Sequence, residues 1–497
     1  MGRFGRALRW GTSRAAVLTE NRTNESAKRG ESAERCGSAE RGEPPACPAL
    51  REAARTFAYL GLVGFGGPAG QIGIMHRVLV NEKRWIGDER FLHALNYCML
   101  LPGPEATQLV TYVGWLMFGL RGGLLAGVLF VLPGFVALLA LSVVYTTFGD
   151  ISWVQGVLLG LKAAVVALVA EAVVRIGKRV VRSGALAMVA VGAFAAICVL
   201  GTPFPWIVAC AAAAGAIGSA VSPGMFRGGS ERGMAGGVRA EETVLGNRVP
   251  EHARASAPRA VVMAVVWGVI WLAPVGGIVW GLGMESIFSQ IAVLFSKAAV
   301  VTFGGAYAVL AYIAQRAVEV EHWITAQDMV AGLGLAETTP GPLIMVLQFV
   351  GYVGAHRNPE GLEPWVAGVL ASVLTAWVTF VPCFAWIFVG GPYMEALRSR
   401  RVVQGALSAV SAAVVGVIAN LGVWMAVHTL FARSGERRWG VVRVPWPEWS
   451  SINWGAATIA AAAGVLLVGL KWGVLRTLAA CTLLGAAWVV WRSRGGG

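Results

Sequence analysis

Two Pro-Gly-Pro sequences are the clearest candidates in this chain for a functional role. They stand at Pro102-Gly103-Pro104 and at Pro340-Gly341-Pro342, each inside apolar sequence. Proline lacks a backbone N–H, and a glycine between two prolines loosens the chain, so a helix must break at each place. The half-helix that begins after a break presents free N–H groups and the positive end of its dipole, which attract an anion. A simple proline kink is the alternative interpretation of each sequence.

A second pair of short sequences accompanies the first pair at a fixed distance. Phe65-Gly66-Gly67 recurs as Phe303-Gly304-Gly305, and Trp85-Ile86 recurs as Trp323-Ile324. These landmarks and the Pro-Gly-Pro sequences are all displaced by the same 238 positions, so the chain contains two copies of one unit. Paired broken apolar segments at matching positions of two halves predict the binding site of a transporter. The glycines could equally mark close helix crossings.

We expect a substrate site where the broken segments of the two copies meet. The segments predicted to line it are 65–68, 102–108, 303–305 and 339–342, which include Pro68, Gln108 and Thr339. The half-helix ends cannot face lipid, because unpaired backbone groups at membrane depth must line a cavity or meet a partner. An anion is the natural partner of such ends.

Ionisable side chains inside apolar stretches are costly and indicate function by default. Lys162 and Lys297 could neutralise a doubly charged substrate, although a lysine can also snorkel to the membrane surface. Glu105 and Glu337 flank the two Pro-Gly-Pro sequences, and Glu171 shares a predicted helix with Lys162. A charged carboxylate beside an anion site would repel the anion, so these three are predicted to be proton carriers or lysine counter-ions.

Signatures of an enzyme or an ATP-driven pump are missing from the sequence. It contains no GxSxG, Walker or HExxH sequence, so ATP cannot drive transport within this chain. The seven cysteines form neither a CxxC pair nor a His-spaced cluster, and they predict no disulfide framework and no metal site. No cofactor is expected.

Composition places the chain in the membrane. Of its 497 residues, 56% are hydrophobic and 14% are charged, and the mean hydropathy is +0.64. A soluble domain carries about 25% charged residues. Several apolar stretches exceed roughly 18 residues, the length of a spanning helix. The predicted fold is all-α: a polytopic membrane protein of about 12–13 transmembrane helices, built from two homologous repeats of opposite orientation with broken helices.

Composition shifts divide the chain into five predicted parts. They are a disordered basic cytoplasmic tail (1–55), a first repeat (56–221), a cytoplasmic linker (222–259), an extra transmembrane helix (260–285) and a second repeat (286–497). The tail contains no apolar core of the kind a secretory signal needs. Single helices are predicted over 56–76 and 286–315, and helices broken at Pro-Gly-Pro over 91–119 and 328–354.

The net charge of +14 indicates membrane orientation rather than nucleic-acid binding, because the basic residues gather in the tail, in the linker and at helix ends. With a cytoplasmic N-terminus, the basic residues of 178–182, 222–259 and 398–401 fall inside. Six helices of the first copy plus the extra helix make seven crossings, so the second copy enters the membrane from the opposite side. The arginines of 433–443 fall outside, which counts against this orientation. The expected partners are an oxyanion and the lipid bilayer; a homodimer is left open.

The sequence resembles the chromate transporter (CHR) family, long two-domain type, over residues 55–495. The resemblance is carried by Phe65-Gly66-Gly67-Pro68, Leu101-Pro102-Gly103-Pro104-Glu105-Ala106-Thr107-Gln108, Phe295-Ser296-Lys297-Ala298, Thr302-Phe303-Gly304-Gly305-Ala306-Tyr307 and Ala336-Glu337-Thr338-Thr339-Pro340-Gly341-Pro342. It implies chromate efflux across the bacterial inner membrane, coupled to the membrane potential or an ion gradient, and chromate resistance. The N-terminal tail departs from the family pattern.

Two alternative functions remain open from the sequence. Chromate and sulfate are both tetrahedral dianions of similar size, and backbone N–H groups with a lysine would discriminate them poorly, so a carrier of sulfate or another oxyanion is one alternative. A membrane-bound chromate reductase is the other. It would need a flavin, a haem or a thiol pair, and the sequence supplies no motif for any of these.

Overall fold

The structure is a computed structural model that describes residues 47–99, 101–221, 238–246, 250–301, 303, 305–393, 401–439 and 442–495. Nearly all of the predicted tail and much of the predicted linker therefore lie outside the described residues. The described part is almost entirely helical.

Within its described residues, the first half of the chain contains seven α-helices, followed by one extra α-helix. They are α1 (Leu50–Val63), α2 (Gly67–His76), α3 (Asp88–Cys98), α4 (Glu105–Phe148), α5 (Ser152–Val180), α6 (Gly184–Leu200), α7 (Phe204–Val221) and α8 (Ala257–Leu282). A π-helical turn, Arg77–Glu82, extends α2. At Phe118 and Gly119 the backbone of α4 leaves helical geometry, which divides α4 into a short and a long half.

The second half repeats this order and adds a small hairpin. Its helices are α9 (Ile287–Val301), α10 (Ala306–Ile313), α11 (Ala326–Thr338), α12 (Val346–Arg357), α13 (Pro364–Gly390), α14 (Arg401–Leu430), α15 (Trp454–Gly464) and α16 (Val474–Gly495). Strands β1 (Ser434–Trp439) and β2 (Val442–Pro447) pair in antiparallel fashion, with Ser434 opposite Pro447. The sequence did not predict this hairpin.

The backbone itself repeats with the 238-residue spacing. A π-helical turn, Ala314–Val320, follows α10 as the turn Arg77–Glu82 follows α2. Arg84 (φ 51°) and His322 (φ 53°) both adopt the left-handed conformation that is uncommon for residues other than glycine. The first copy and the second copy therefore share local geometry as well as sequence landmarks.

The first two helices of each copy form a hairpin that turns back at the Phe-Gly-Gly break. In the first copy, Lys83 Nζ lies 2.8 Å from Glu52 Oε1, which joins the end of the α2 segment to the start of α1. In the second copy, Trp323 Nε1 donates to Gln290 Oε1 at 3.2 Å, which joins the same points of α9 and α10. The sequence predicted one helix over 56–76 and one over 286–315; each is instead two helices of opposite direction.

The next two helices of each copy also turn back, at the Pro-Gly-Pro break. Arg357 at the end of α12 binds Asp328 at the start of α11, with Nη1 2.6 Å from Oδ2. In the first copy, the start of α3 and the end of the short half of α4 both meet residues of the linker, within 238–246 and 250–253. There, Asp88 N donates to Val238 O, and His252 Nε2 lies 2.7 Å from Trp115 O.

The two copies are inverted, because their hairpins open to opposite faces. We call the face that holds residues 238–246 and 250–253 the linker face. The long half of α4 leaves this face and extends for about 40 Å, more than the hydrocarbon core of a bilayer. Its end reaches the other copy's hairpins, where Tyr145 Oη lies 2.7 Å from Asp328 Oδ1. We call this second face the β-hairpin face.

Seven of the described helices are long and apolar enough to cross a membrane, and three shorter apolar helices accompany them. The long ones are α4, α5, α7, α8, α13, α14 and α16. The span that contains α13 runs over Pro364–Tyr393 and includes the short turn after that helix. The predicted total of about 12–13 spans also counts the broken segments, which enter the membrane and turn back.

Glycines let the spanning helices cross closely. A Cβ at Gly160 of α5 would collide with the Cys481 carbonyl of α16, and a Cβ at Gly405 of α14 would collide with Ser219 of α7. Small residues are the usual means of helix approach in lipid, where no hydrophobic effect drives helices together. Gly160 and Gly405, which occupy matching places in the two copies, thus each allow a close crossing of two helices.

We predict that cysteines introduced at Glu242 and Ser434 lie on opposite sides of the membrane. In a cysteine-free background, a membrane-impermeant maleimide applied to intact cells should label one of them and reach the other only after permeabilisation. Met284→Cys is the matched control, because the loop after α8 lies on the β-hairpin face and must label together with Ser434→Cys. Simultaneous labelling of Glu242→Cys and Ser434→Cys from one side would refute the inverted arrangement.

We predict that Gly160→Ala destabilises the purified protein by about 1–3 kcal/mol, because overpacking a tight crossing forces the helices apart. The measurement is the unfolding midpoint in detergent. Gly276→Ala in α8 is the control, since a Cβ there meets nothing within 4 Å. This control should be neutral or slightly stabilising because alanine favours helix over glycine. Equal midpoints for the two variants would contradict the close α5–α16 crossing.

Candidate functional site

The Phe-Gly-Gly break of the first copy is bonded directly to the Pro-Gly-Pro break of the second. Gly341 N donates to Gly64 O at 3.1 Å. Gln71 Nε2, on α2, donates to both carbonyls of this junction, at 3.1 Å to Gly64 O and 2.5 Å to Gly341 O. Backbone groups released by two broken helices therefore satisfy each other between the copies.

The reciprocal junction brings the Phe-Gly-Gly break of the second copy to the Pro-Gly-Pro break of the first. A Cβ at Gly305 would stand 3.4 Å from Glu105 Oε1, so the first residue of α4 faces the start of α10. Gly305 has φ 94°, a conformation open to glycine at little cost. The predicted meeting of broken segments is thus present at both junctions.

Two matching helices with an internal proline, α4 and α13, pack against the two Pro-Gly-Pro breaks. A Cβ at Gly341 would stand 3.1 Å from Gly134 Cα of α4, and a Cβ at Gly103 would stand 3.1 Å from Cys383 Sγ of α13. Gly134 and Cys383 each follow an intrahelical proline, Pro133 or Pro382. Gly103 (φ 115°) and Gly341 (φ 92°) both need the glycine conformation.

Four helical segments begin at the breaks and lead away from them. They are α2, α4, α10 and the 3₁₀ turn Leu343–Met345 that leads into α12. Their N-terminal ends direct backbone N–H groups and positive dipole ends toward the junctions, as the sequence predicted for the Pro-Gly-Pro sequences. The Phe-Gly-Gly breaks add two such ends, beginning near Pro68 and at Ala306.

The polar side chains beside the breaks mainly hold the local backbone. Gln108 Nε2 donates to Pro102 O at 2.8 Å, and Thr339 Oγ1 donates to Ala336 O at 2.9 Å. The buried Oε1 atoms of Gln71 and Gln108 have no hydrogen-bond partner among the described residues. Amide oxygens are acceptors and cannot bind an anion directly. The donors available to an anion beside the first Pro-Gly-Pro break are backbone N–H groups and the buried Thr107 and Thr111 hydroxyls, which have no hydrogen-bond partner among the described residues.

The predicted carboxylates stand at the junctions or next to them. Glu337 is buried at the end of α11 and accepts a hydrogen bond of 2.7 Å from Tyr307 Oη. Glu105 begins α4 opposite Gly305. Glu171 on α5 forms an ion pair of 3.5 Å with Arg175.

Only one of the two predicted lysines lies near a break. Lys162 Nζ donates to Gln327 Oε1 at 3.0 Å in a cleft of about 730 Å³ on the β-hairpin face, beside the Asp328–Arg357 pair. Gln327 is separated from the end of α11 by about 16 Å of helix. Lys297 is exposed on α9, one turn before the break. Phe65 and Phe303 are partly buried at their breaks, and Gly304 lies outside the described residues.

Sequence reasoning missed two residues that the structure brings to the junctions. Gln71 bonds both carbonyls of one junction, and Tyr307 bonds Glu337. The available signal was that each is a polar side chain that follows a Phe-Gly-Gly sequence within four residues.

Arg179, whose charge predicts membrane orientation, lies beside the end of α3. Its Nη2 lies 3.7 Å from Met99 Sδ. No group of three or more His, Cys, Asp or Glu side chains in the described ranges could hold a metal ion.

Comparison with known proteins supports a single family. The sequence profile described as "Chromate transporter" matches residues 51–216 and 289–486, which include both sets of breaks. The chain belongs to the chromate transporter family. A Cupriavidus metallidurans relative named "Chromate transport protein" is 28% identical over 77% of this chain and 84% of its own length. A Pseudomonas aeruginosa relative of the same name is 32% identical over 73% of this chain and 77% of its own length. No solved structure matches the chain.

We predict that Gln71→Leu destabilises the protein by about 1–3 kcal/mol, because two buried backbone carbonyls lose their common donor. The unfolding midpoint of the purified protein is the measurement. Gln155→Leu is the control, since Gln155 is exposed at the start of α5 and makes only one long hydrogen bond, 3.3 Å to Asp150 O. Equal effects of the two substitutions would show that Gln71 does not hold the junction.

Proposed function

We propose that this chromate transporter family member is a secondary active transporter that exports chromate across the bacterial inner membrane and confers chromate resistance. The relatives' names support chromate as the substrate. The lack of a nucleotide-binding sequence supports a driving force from the membrane potential or an ion gradient. Basic residues in the linker support a cytoplasmic linker face, which would make the β-hairpin face the outer one.

The observation that carries the proposal is the pairing of the breaks between inverted copies. The Gly341–Gly64 hydrogen bond and the Gly305–Glu105 approach bring both junctions between the two copies. Secondary transporters of inverted-repeat design bind substrate at such interfaces, with half-helix N-termini directed at anionic groups. Rocking of one copy against the other would then expose the site to each face in turn.

The proposed substrate-binding set is the one predicted from the sequence. It consists of Phe65, Gly66, Gly67, Pro68, Pro102, Gly103, Pro104, Gln108, Phe303, Gly304, Gly305, Thr339, Pro340, Gly341 and Pro342. Lys162 and Lys297 are proposed as charge partners on the approach to the breaks, with Lys162 in the cleft of the outer face. Glu105, Glu171 and Glu337 are proposed to carry protons or to balance cationic charge.

A sulfate or general oxyanion carrier is the second candidate function. The donors that the breaks offer are backbone N–H groups, and these recognise the shape and charge of a tetrahedral dianion rather than its central atom. A competition experiment separates the two candidates.

We predict that inverted membrane vesicles containing the protein accumulate chromate under an imposed ion gradient. Vesicles that lack the protein serve as the first control. An excess of sulfate that abolishes chromate uptake would favour the general carrier, and weak competition would favour chromate. The oxidation state of the accumulated chromium should stay at VI, since a reductase would deliver chromium(III). Failure to accumulate chromate under every imposed gradient would refute the proposal.

A further inference from the structure

A cavity of about 450 Å³ lies on the linker face, where the linker leads into α8. Arg254 and Arg259 line its exposed side, and Trp115 and Phe388 line its buried side. We call it the linker-face cavity. Its volume falls in the range of about 300–1,000 Å³ that is usual for small-ligand sites. None of the described residues at the breaks lines it, and Trp115 is about 15 Å of helix away from Glu105.

The exposed side of the linker-face cavity is basic. Arg259 Nη1 donates to the His252 carbonyl at 3.3 Å, which leaves the other N–H groups of this guanidinium for a ligand. The Arg254 side chain makes no hydrogen bond or ion pair within the part of the chain that the structure describes. Among the described lining residues, Glu251 is the one that carries a negative charge. Two cations therefore face one carboxylate, and the cavity keeps a net positive charge.

The buried side of the cavity is apolar and leads toward the lipid-facing surface of α8. The rings of Trp267 and Phe388 pack with centroids 5.3 Å apart, which joins α8 to α13. One turn nearer the linker face, Met263 lines the cavity instead. Leu120, which also lines the cavity, and Val262, which precedes Met263, are both exposed. Since α8 is long and apolar enough to cross a membrane, a molecule in the cavity meets cations at one end and hydrocarbon at the other.

His252 holds the two sides of the cavity together. Its Nε2 lies 2.7 Å from the Trp115 carbonyl oxygen, and its ring packs edge-on against the Trp115 ring, with centroids 5.5 Å apart. The 3₁₀ turn Glu251–Ala253 places Arg254 just before the start of α8. The cavity is therefore formed without a ligand, which lowers the free-energy cost of binding one.

We propose that the linker-face cavity binds one anionic phospholipid, with its phosphate on Arg254 and Arg259 and its acyl chains along Leu120 and Val262. Guanidinium groups pair with two phosphate oxygens at once. Basic pockets between membrane helices on the cytoplasmic side recognise anionic headgroups, and the linker face is the proposed cytoplasmic face. A free phosphate would use the arginines but not the apolar side. The inference does not depend on which substrate the protein transports.

A different role for these arginines is to set membrane orientation, as basic residues at a cytoplasmic helix end do. That role depends on their charge alone and needs no cavity. Arg239 is an exposed basic residue of the same linker, and it does not line the cavity. Arg239→Gln is the matched control, because it removes the same charge from the same face.

The experiment titrates the purified protein in detergent with phosphatidylglycerol and follows the unfolding midpoint, which rises when a ligand binds the folded state. The rise should saturate, with one phosphatidylglycerol retained per protein in native mass spectrometry. Phosphatidylcholine, which has no net charge, should give no such rise. Arg254→Gln and Arg259→Gln should each weaken the apparent affinity about fivefold, the effect of one basic residue beside anionic lipid. Arg239→Gln should stay within about twofold of the wild type.

A second variant moves the affinity in the opposite direction. Glu251→Gln removes the carboxylate that repels the phosphate and should tighten phosphatidylglycerol binding about twofold or more, an effect that a merely structural role of Glu251 would not produce. Arg254→Lys keeps the charge but loses the planar fork, so it should retain part of the affinity. Size-exclusion chromatography establishes that each variant is folded. If a glutamine variant of an arginine fails to fold, Glu251→Gln and Arg254→Lys decide the matter.

Each contrary outcome overturns a different part of the inference. Inorganic phosphate that raises the midpoint as phosphatidylglycerol does would assign the cavity to a free anion and overturn the lipid assignment. An equal rise with phosphatidylcholine would show that charge does not select the ligand. Arg254→Gln and Arg259→Gln indistinguishable from Arg239→Gln would overturn the cavity as the binding site. Weaker binding by Glu251→Gln would overturn the electrostatic basis of recognition.

Discussion

Broken helices in a membrane need partners for the backbone groups that they release, and this requirement shapes the whole protein. An unpaired N–H or C=O in lipid costs several kcal/mol, so each break must be covered by another part of the chain. In this protein, the backbone groups of one break are paired with those of another break. Gly341 N bonds to Gly64 O, and Gln71 binds the carbonyls of both. Neither copy could place its broken segments in a membrane alone without leaving such groups unpaired.

Close packing follows from the same requirement. For two breaks to bond, the helices behind them must approach to backbone distance, and only small residues allow that approach. Gly134 and Cys383 stand at corresponding places behind Gly341 and Gly103 and provide it. Outside this centre, the spanning helices use the same means at Gly160 and Gly405. The many glycines of the chain thus serve helix approach as well as helix breaks.

The sequence predicted the breaks but not the direction that the chain takes after them. The displaced landmarks located all four breaks, and each break separates two helical segments in the structure. An apolar hairpin and an apolar span have the same composition and nearly the same length, so hydropathy could not distinguish them. The predicted opposite orientation of the two copies does not depend on this difference. Two predicted crossings in each copy are returning hairpins instead, so the number of crossings in each copy changes by an even number.

A similar limit applies to the residues of the candidate site. Motif spacing identifies residues that lie at breaks, which is why Glu105 and Glu337 were found. It cannot identify residues that reach a break from another helix. Gln71 belongs to the first copy, and only the fold brings it to the Gly341 carbonyl of the second copy, 270 residues later in the chain. Lys162 was selected because it interrupts an apolar stretch, and the structure places it in the cleft of the β-hairpin face.

The polar residues at the junctions do not repeat as the backbone does. Val309 stands where the first copy has Gln71, and Leu343 stands where it has Glu105. Two copies with equal contacts would give the inward-open and outward-open forms equal energy. Among the described residues, a glutamine of the Gln71 type bonds both breaks at one junction only. Under the proposed transport function, opening the two junctions then costs different free energies, and one resting form is favoured. The forward and reverse rates of such a carrier would differ even when the gradients are equal in size.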